Sequence, residues 1–417
     1  MSPFNVQVVK EFLVGASANP SATPTGRVMS VSRRCVRFLL GLVALASQAV
    51  AADVTVGDGA SLHAALRDAK PGMTIRIAPG AYPGDLFVKG NSGTADAPII
   101  IEAANPADPP TVDGGENGIQ LSGCSHVVLR NLRFRGQTGN GLNIDDGGKL
   151  ESPAAGIVLE WLHVSDVGPR GNHDGIKLSG LKGFRITDCI VEGWGGGAID
   201  MVGCHDGAIE RCTFRGKDGF EQSTGPQLKG GTSNVAIRRC DFVDAGQRAI
   251  NVGGSTELPY FRPPGATWEA KNITVEDCRF VGGEAAVAFV GVDGAAFGHN
   301  TIVRPRAWVL RILQETVRPE FVRCRDVTFE RNLVVYRRGE LREVVNRGMN
   351  GQPQFETFRF AENWWYAEDD PPRSKPELPT AEKGGVYGRD PEVTFDERGL
   401  PAIGDLRAAR YGARGAP

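Results

Sequence analysis

A short unit recurs along the middle of this chain: a small residue, an aliphatic, a polar residue, a second aliphatic and then a turn. It reads GIQLSG from Gly118, GLNIDD from Gly141, GIKLSG from Gly175 and AIDMVG from Ala198, and in looser form PQLKGG from Pro226 and AINVGG from Ala249. The starts are 23, 34, 23, 28 and 23 residues apart, a base period near 23 with insertions in some turns. Such a period marks a solenoid, in which no unit can bury its apolar face alone and each must stack on the next. A second segment follows at a steady offset, as VVLRNLRF from Val127, FRITDCIV from Phe184, GAIERCTF from Gly207, VAIRRCDF from Val235, ITVEDCRF from Ile273 and VTFERNLV from Val327. Apolar and polar residues alternate in it, the period of a strand with one buried face, and helical spacing is absent. Two or three short strands per turn, with many of the 55 glycines at the corners, predict an all-β chain: a parallel β-helix over residues 74–365.

One column tests that register. Cys189, Cys212, Cys240 and Cys278 hold the same place in successive second strands, and Asn300, Asn332 and Asn363 continue it. Stacked at about 4.8 Å, side chains of one size fill a narrow core evenly, and amides can bond along the axis. The cysteines are expected to be buried and unbonded. Parallel side chains in register have the wrong dihedral for a disulfide, and zinc wants ligands that converge.

Residues 29–51 read as a secretory signal: Arg33, Arg34 and Arg37, an apolar run from Phe38 to Ala46, and Ala49-Val50-Ala51 as the cleavage site. Residues 1–28 do not fit it and are read as a mis-assigned start ahead of Met29. The expected chain is secreted or periplasmic, begins at Ala52 and has no membrane insertion, because the apolar run is too short to span a bilayer. Removing residues 1–51 takes five basic residues and one acidic, and moves the net charge from −2 to −6. That disfavours nucleic acid as a partner. The oligomeric state is not readable.

Residues 52–73 are expected to cap the solenoid with a helix over Ser61–Lys70, Ser61 as its N-cap, because a solenoid end exposes core. The run SLHAALRDAKPGMTIRIAPGAYPGDLFVKGNSGTADAPIIIEAANP resembles the opening of secreted right-handed β-helix proteins of the pectate-lyase-like superfamily. In detail it is most similar to the polysaccharide-lyase family that holds chondroitinase B and alginate lyases. The resemblance implies a right-handed parallel β-helix and an acidic polysaccharide as partner. Residues 366–417 are expected to form a C-terminal loop and cap.

In the first-strand column Ile119, Leu121, Ile176, Leu178, Ile199, Met201 and Leu228 should point inward. Gln120, Asn143, Asp145, Lys177, Asp200, Gln227, Lys229 and Asn251 should point outward and line one face. A linear polymer laid along such a face meets equivalent positions turn after turn. The loops entering these strands add His173, Asp174, Glu221 and Arg248, and the insertions before Gly175, before Pro226 and after Gly254 lie where they could wall a groove. Tyr260, Phe261 and Trp268 in the last of these are candidate sugar platforms. His173 is a candidate base; Lys177, Asp174, Asp200, Asn251 and Glu221 are candidates for substrate binding.

The resemblance implies Lys229 as general base and Arg248 as acid or carboxylate partner. The residue types suit β-elimination from a uronic acid, in which a base removes the C5 proton while a cation neutralises the carboxylate. Four strand positions of offset would set their Cα atoms roughly 12–14 Å apart. That family also binds calcium through two carboxylates shortly before the lysine. Here Glu221 stands alone, followed by Gln222, Ser223 and Thr224, too few oxygens for calcium, and no cofactor is assigned. Three functions compete: a polysaccharide lyase; a uronate epimerase or glycosidase, the latter with Asp174 and Asp200 as a carboxylate pair; and a non-catalytic glycan-binding solenoid.

Overall fold

The computed structural model describes residues 53–348 and 352–415. The expected signal and the segment before it lie outside these residues. Three parallel sheets run side by side along one axis, with 14, 10 and 12 strands among the described residues, and successive turns add strands to each. Ile119, Leu142, Ile176 and Ile199 form one line, and Leu121, Ile144, Leu178, Met201 and Leu228 another. All are buried, and each such side chain contributes about 1.5–3 kcal/mol. The unit read from Pro226 begins one residue earlier. Pro226 pairs with Ile199, so Gly225 takes the small-residue place and Pro226 the inward aliphatic one.

The ladder column lies at one corner. Its cysteines are buried and free; elsewhere in the core, burial pushes the Cys204 and Cys324 thiols up to about 12. In the asparagine half each amide oxygen accepts the backbone N–H of the ladder residue one turn earlier: Cys278 to Asn300 at 3.0 Å, Asn300 to Asn332 at 3.0 Å and Asn332 to Asn363 at 2.9 Å. The amide nitrogens of Asn300 and Asn332 donate along the axis to the next amide at 3.2 and 2.9 Å. The residue before each ladder position, from Asp188 through Arg211, Arg239, Asp277, His299 and Arg331 to Glu362, has φ of 51–58°. A left-handed non-glycine residue costs roughly 1–2 kcal/mol. Stacking and amide bonding at the next position offset that cost, so one bend repeats with little regard to the residue that makes it.

The cap helix is Gly59–Arg67, shorter than expected and starting earlier. Asp58 is its N-cap and Ser61 stands at N3, the two closing a capping box. Leu62 and Leu66 seal the core, and the Asn91 amide donates to the carbonyls of Leu66, Arg67 and Ala69 at the other end. At the C-terminal end Phe355, Leu378 and Tyr387 pack on the last turns. The final segment then runs back along the side. Gly412 N–H donates to the Arg331 carbonyl, Ala413 N–H to Thr301 Oγ1, and the Arg414 guanidinium pairs with Asp277 at 2.8 Å.

Candidate functional site

The outward face of the 10-stranded sheet carries a line through Gln120, Asn143, Lys177, Asp200, Gln227 and Asn251. Alternation along each strand and parallel register between strands put these polar residues in one row. At its centre is a chain of ion pairs. Lys177 Nζ donates to Asp174 at 2.8 Å and to Asp200 at 2.7 Å, and Lys229 Nζ lies 3.0 Å from the other oxygen of Asp200. Both carboxylates are 1% exposed.

The two acids are pushed in opposite directions. Burial, then the charge of Asp200, raises Asp174, against the pull of Lys177 and the Gly197 N–H. Burial would raise Asp200 too, but Lys229 and Lys177 together hold it below the usual carboxylate range. Burial disfavours the Lys177 ammonium, yet Asp200 and Asp174 outweigh it and hold this group above the usual lysine range.

A groove of about 560 Å³ opens over this cluster, with Asn143, Asp145, Lys177, Asp200 and Lys229 on its floor. Its wall is the insertion after Gly254, which contributes Ser255, Thr256, Glu257, Tyr260 and Arg262. The insertion folds back over earlier turns, and Arg262 Nε reaches Asp146 at 2.6 Å with both side chains almost wholly buried. It crosses the corners at Gly180 and Gly203, both at positive φ, where a Cβ would come within 2.8 Å of Arg262 Nε and 2.2 Å of Arg262 Cβ respectively. Those two glycines leave the trench in which the arm lies. Buried Glu269 staples the base of the arm, accepting from Gly230 N–H, Thr256 N–H, and the hydroxyls of Thr256 and Thr316 at 2.6–2.9 Å.

Of the residues singled out from the sequence, Lys177, Asp200 and Lys229 line the groove together, and Asp174 stands behind Lys177. His173 and Glu221 belong to a turn at the rim: Glu221 accepts the Gly171 N–H at 2.9 Å, and the His173 ring lies against the stretch from Gly168 to Gly171. Asn251 is 1% exposed; it accepts from Arg248 at 3.1 Å and donates to the Gly253 carbonyl. Arg248 pairs with Glu315 at 2.9 Å, away from the groove. It is in register with Thr224, so its offset from Lys229 is five strand positions, one more than expected. At ~3.3 Å per residue and ~4.8 Å per strand, their Cα atoms are about 17 Å apart. Lys229 leans towards the preceding turn and Arg248 towards later ones, which separates their charged ends further. Among the candidate aromatics, Tyr260 is exposed on the groove wall, while Phe261 is buried against Phe321 and the Trp268 indole donates to the Gly231 carbonyl.

The calcium implied by the resemblance does not fit. Glu221 is committed to Gly171, and the Gln222 amide faces the Lys217 and Phe220 carbonyls. Among the described residues no group of three or more His, Cys, Asp or Glu side chains gathers to hold a metal ion. Sequence reading missed Asp146, Arg262 and Glu269. The Asp146–Arg262 pair spans 116 residues, and no local pattern announces a contact that an insertion makes by folding back.

The family described as a right-handed β-helix region matches residues 117–307. The chain folds as a right-handed parallel β-helix. No curated protein matches the sequence. Similar solved structures include an alginate lyase from Paenibacillus sp. str. FPU-7 (18% identity over 72% of this chain and 98% of that one, TM-score 0.48). Two others are the PL6 family alginate lyase AlyGC (13%, 87% and 56%, TM-score 0.46) and a GH136 lacto-N-biosidase from Eubacterium ramulus (12%, 80% and 67%, TM-score 0.49). The chain thus spans little more than half the length of AlyGC. Among the described residues no helix is long and apolar enough to cross a membrane.

Proposed function

We propose that this protein is a carbohydrate-active β-helix protein that cleaves a uronic-acid-containing polysaccharide by β-elimination in the groove over Lys177, Asp200 and Lys229. The observation that carries this reading is the ion-pair chain that ends in the groove at Lys229. Asp174 is pushed towards its neutral form and Asp200 towards its charged one. Asp200 accepts from both lysines, and Lys229, at the longer distance and with no second acid in reach, is the partner that can turn to a substrate. Lys177, locked between two acids, stays charged and fixes the electrostatics of the floor.

In this mechanism Lys229 gives its ammonium proton to solvent as it leaves Asp200 for the substrate, and the amine so formed takes the C5 proton of a uronate. The electrons left at C5 form the C4–C5 double bond as the C4–O4 bond breaks. The leaving oxygen needs a proton, and the Tyr260 phenol on the wall can supply it. Arg248 is held by Asn251 and Glu315 and takes no part in this step. The buried position of Asp174 and the Lys177 ammonium between it and Asp200 disfavour a glycosidase pair, which needs both carboxyl groups open to the sugar.

The test is ultraviolet absorbance of purified protein with a panel of uronic-acid polymers. Unsaturated product that appears with the wild type and vanishes in Lys229→Ala supports the reading. A changed uronate ratio without new absorbance would replace the lyase with an epimerase, and no change on any polymer would remove the enzyme.

A further inference from the structure

Leu86–Lys89 is the edge strand at the N-terminal end of the 10-stranded sheet. Leu86 and Val88 point into the core, so Phe87 and Lys89 point out, about 7 Å apart. Register carries both into the floor of the groove. Phe87 heads the line through Gln120, Asn143 and Lys177. Lys89 heads the neighbouring line through Ser122, Asp145, Ser179 and Val202 to Lys229. The groove floor reaches Asn143 and Asp145, two strand spacings or about 10 Å from this pair, and Lys229 lies five spacings or about 24 Å from it.

The two ends of these lines differ. Past Lys229 the outward positions Asn251, Ala288, Val290 and Leu313 are buried, so no sugar can lie on the floor there. In the other direction Gln120, Ser122, Asn143 and Asp145 are partly exposed, and Phe87 and Lys89 are open. A polymer held over Lys229 therefore has floor to follow one way only. Phe87 is 53% exposed, and among the described residues no aromatic ring or cation packs on it. Nor does any carboxylate there come within ion-pair distance of Lys89. The other charged groups of the two lines are all held: Asp145 by Ser122 and Gln120, and Lys177 and Lys229 by Asp200. An apolar ring face and an uncommitted ammonium stand side by side on a rigid strand. A uronate sugar needs both, since the C–H face of its ring stacks on an aromatic and its carboxylate takes a cation.

We propose that Phe87 and Lys89 form a distal subsite for a uronic-acid-containing polysaccharide, holding the chain about 24 Å from Lys229 and setting the one direction in which it leaves the groove. The subsite rests on the reading of this face as a polysaccharide track, but not on the cleavage step. It makes affinity grow with chain length, because the second contact counts only for an oligomer that can span both places at once.

Fluorescence anisotropy of end-labelled alginate and polygalacturonate oligosaccharides tests it, with one set too short to span ~24 Å and one long enough. Lys229→Ala is the background, so that the ligand is not consumed. Adding Phe87→Ala should weaken the long ligands by ~2–10-fold and leave the short ones unchanged, and Phe87→Trp should restore the difference. Adding Lys89→Ala should weaken the long ligands at low salt, lose that effect at high salt, and have none on carboxyl-reduced oligosaccharides. Both side chains are exposed, so the melting temperature should not move in either variant. The subsite is overturned if Phe87→Ala weakens short and long ligands equally or neither, or if no ligand binds at all. If the wild type forms unsaturated product while Phe87→Ala binds long ligands unchanged, the subsite fails and the lyase reading stands. If the wild type cleaves nothing yet long-chain affinity depends on Phe87, the reverse holds.

Discussion

Between Asn143 and Lys229 the outward face sets its cations against buried carboxylates: Lys177 and Lys229 against Asp200 and Asp174, and Arg262 against Asp146. Between Arg248 and Asn346 the same sheet carries Arg248 and Arg311, of which only Arg248 has a carboxylate within ion-pair distance, and Arg342 lies nearby over the Trp308 ring. The difference follows from what each cation rests against. The insertion after Gly254 roofs the first region, and an unpaired charge beneath it would cost several kcal/mol. In the second region Arg311 and Arg342 lie over the Trp308 ring, which holds a guanidinium without a carboxylate. One solenoid face therefore holds its cations in two ways a few turns apart, by buried carboxylates and by an aromatic ring.

The sharpest way to break this comparison is through Lys229. If the roofed cluster is the reacting centre, Lys229→Ala lowers the rate of elimination by ~10²–10⁴-fold, the usual effect of losing a general base. Folding should survive, since Asp200 keeps Lys177. A variant that retains full rate would move the chemistry out of this groove.

Next in size is Asp200→Asn. It leaves Lys229 without a partner and Lys177 with Asp174 alone, and urea unfolding should show a loss of about 3 kcal/mol near neutral pH. The pH dependence has a definite sign. The folded-state pKa of Asp200 lies below its ordinary value, so its contribution is present above pH ~4 and is lost as pH falls through the folded value. The gap between wild type and variant should therefore narrow on acidification; a gap that widens would show that Asp200 is not held charged.

Asp174→Asn sharpens the contrast within the cluster. Asp174 is raised, so any favourable term from its titration is present at low pH and lost as pH rises through the folded value. An amide oxygen can still accept the Gly197 N–H, and the stability cost should be ~1 kcal/mol or less at neutral pH. A loss equal to that of Asp200→Asn would mean that both acids are charged in the fold.

The smallest effect is expected from Tyr260→Ala. An exposed wall aromatic contributes ~0.5–1.5 kcal/mol to stacking on a sugar, so polymer affinity should fall several-fold with the melting temperature unchanged. If Tyr260 is also the proton donor, the rate falls by much more than the affinity, and the split between kcat and KM reads this directly.

Much of the architecture was legible before any coordinates. Ile119, Ile176 and Ile199 stack as their spacing requires, and the Cys189 to Asn363 column is buried and in line, because a solenoid turns a period in the chain into adjacency in space. The slip at Pro226 shows the limit of the method: proline is a poor match to an aliphatic in a pattern, yet its ring fills the same inward place. The candidate site was legible only where it lies on that periodic lattice, at Lys177, Asp200 and Lys229.

What the sequence determined alone is therefore whatever repeats: the solenoid, its inward and outward faces, the ladder and the row of polar groups. Alternation and period are local, and register copies them from turn to turn. The tertiary structure decided what does not repeat. It brought Arg262 to Asp146 across 116 residues, turned Arg248 towards Glu315 rather than Lys229, and set Glu269 under the arm. Those contacts depend on where one insertion comes to rest and which buried charges it must satisfy, a question of packing and desolvation that no spacing along the chain encodes.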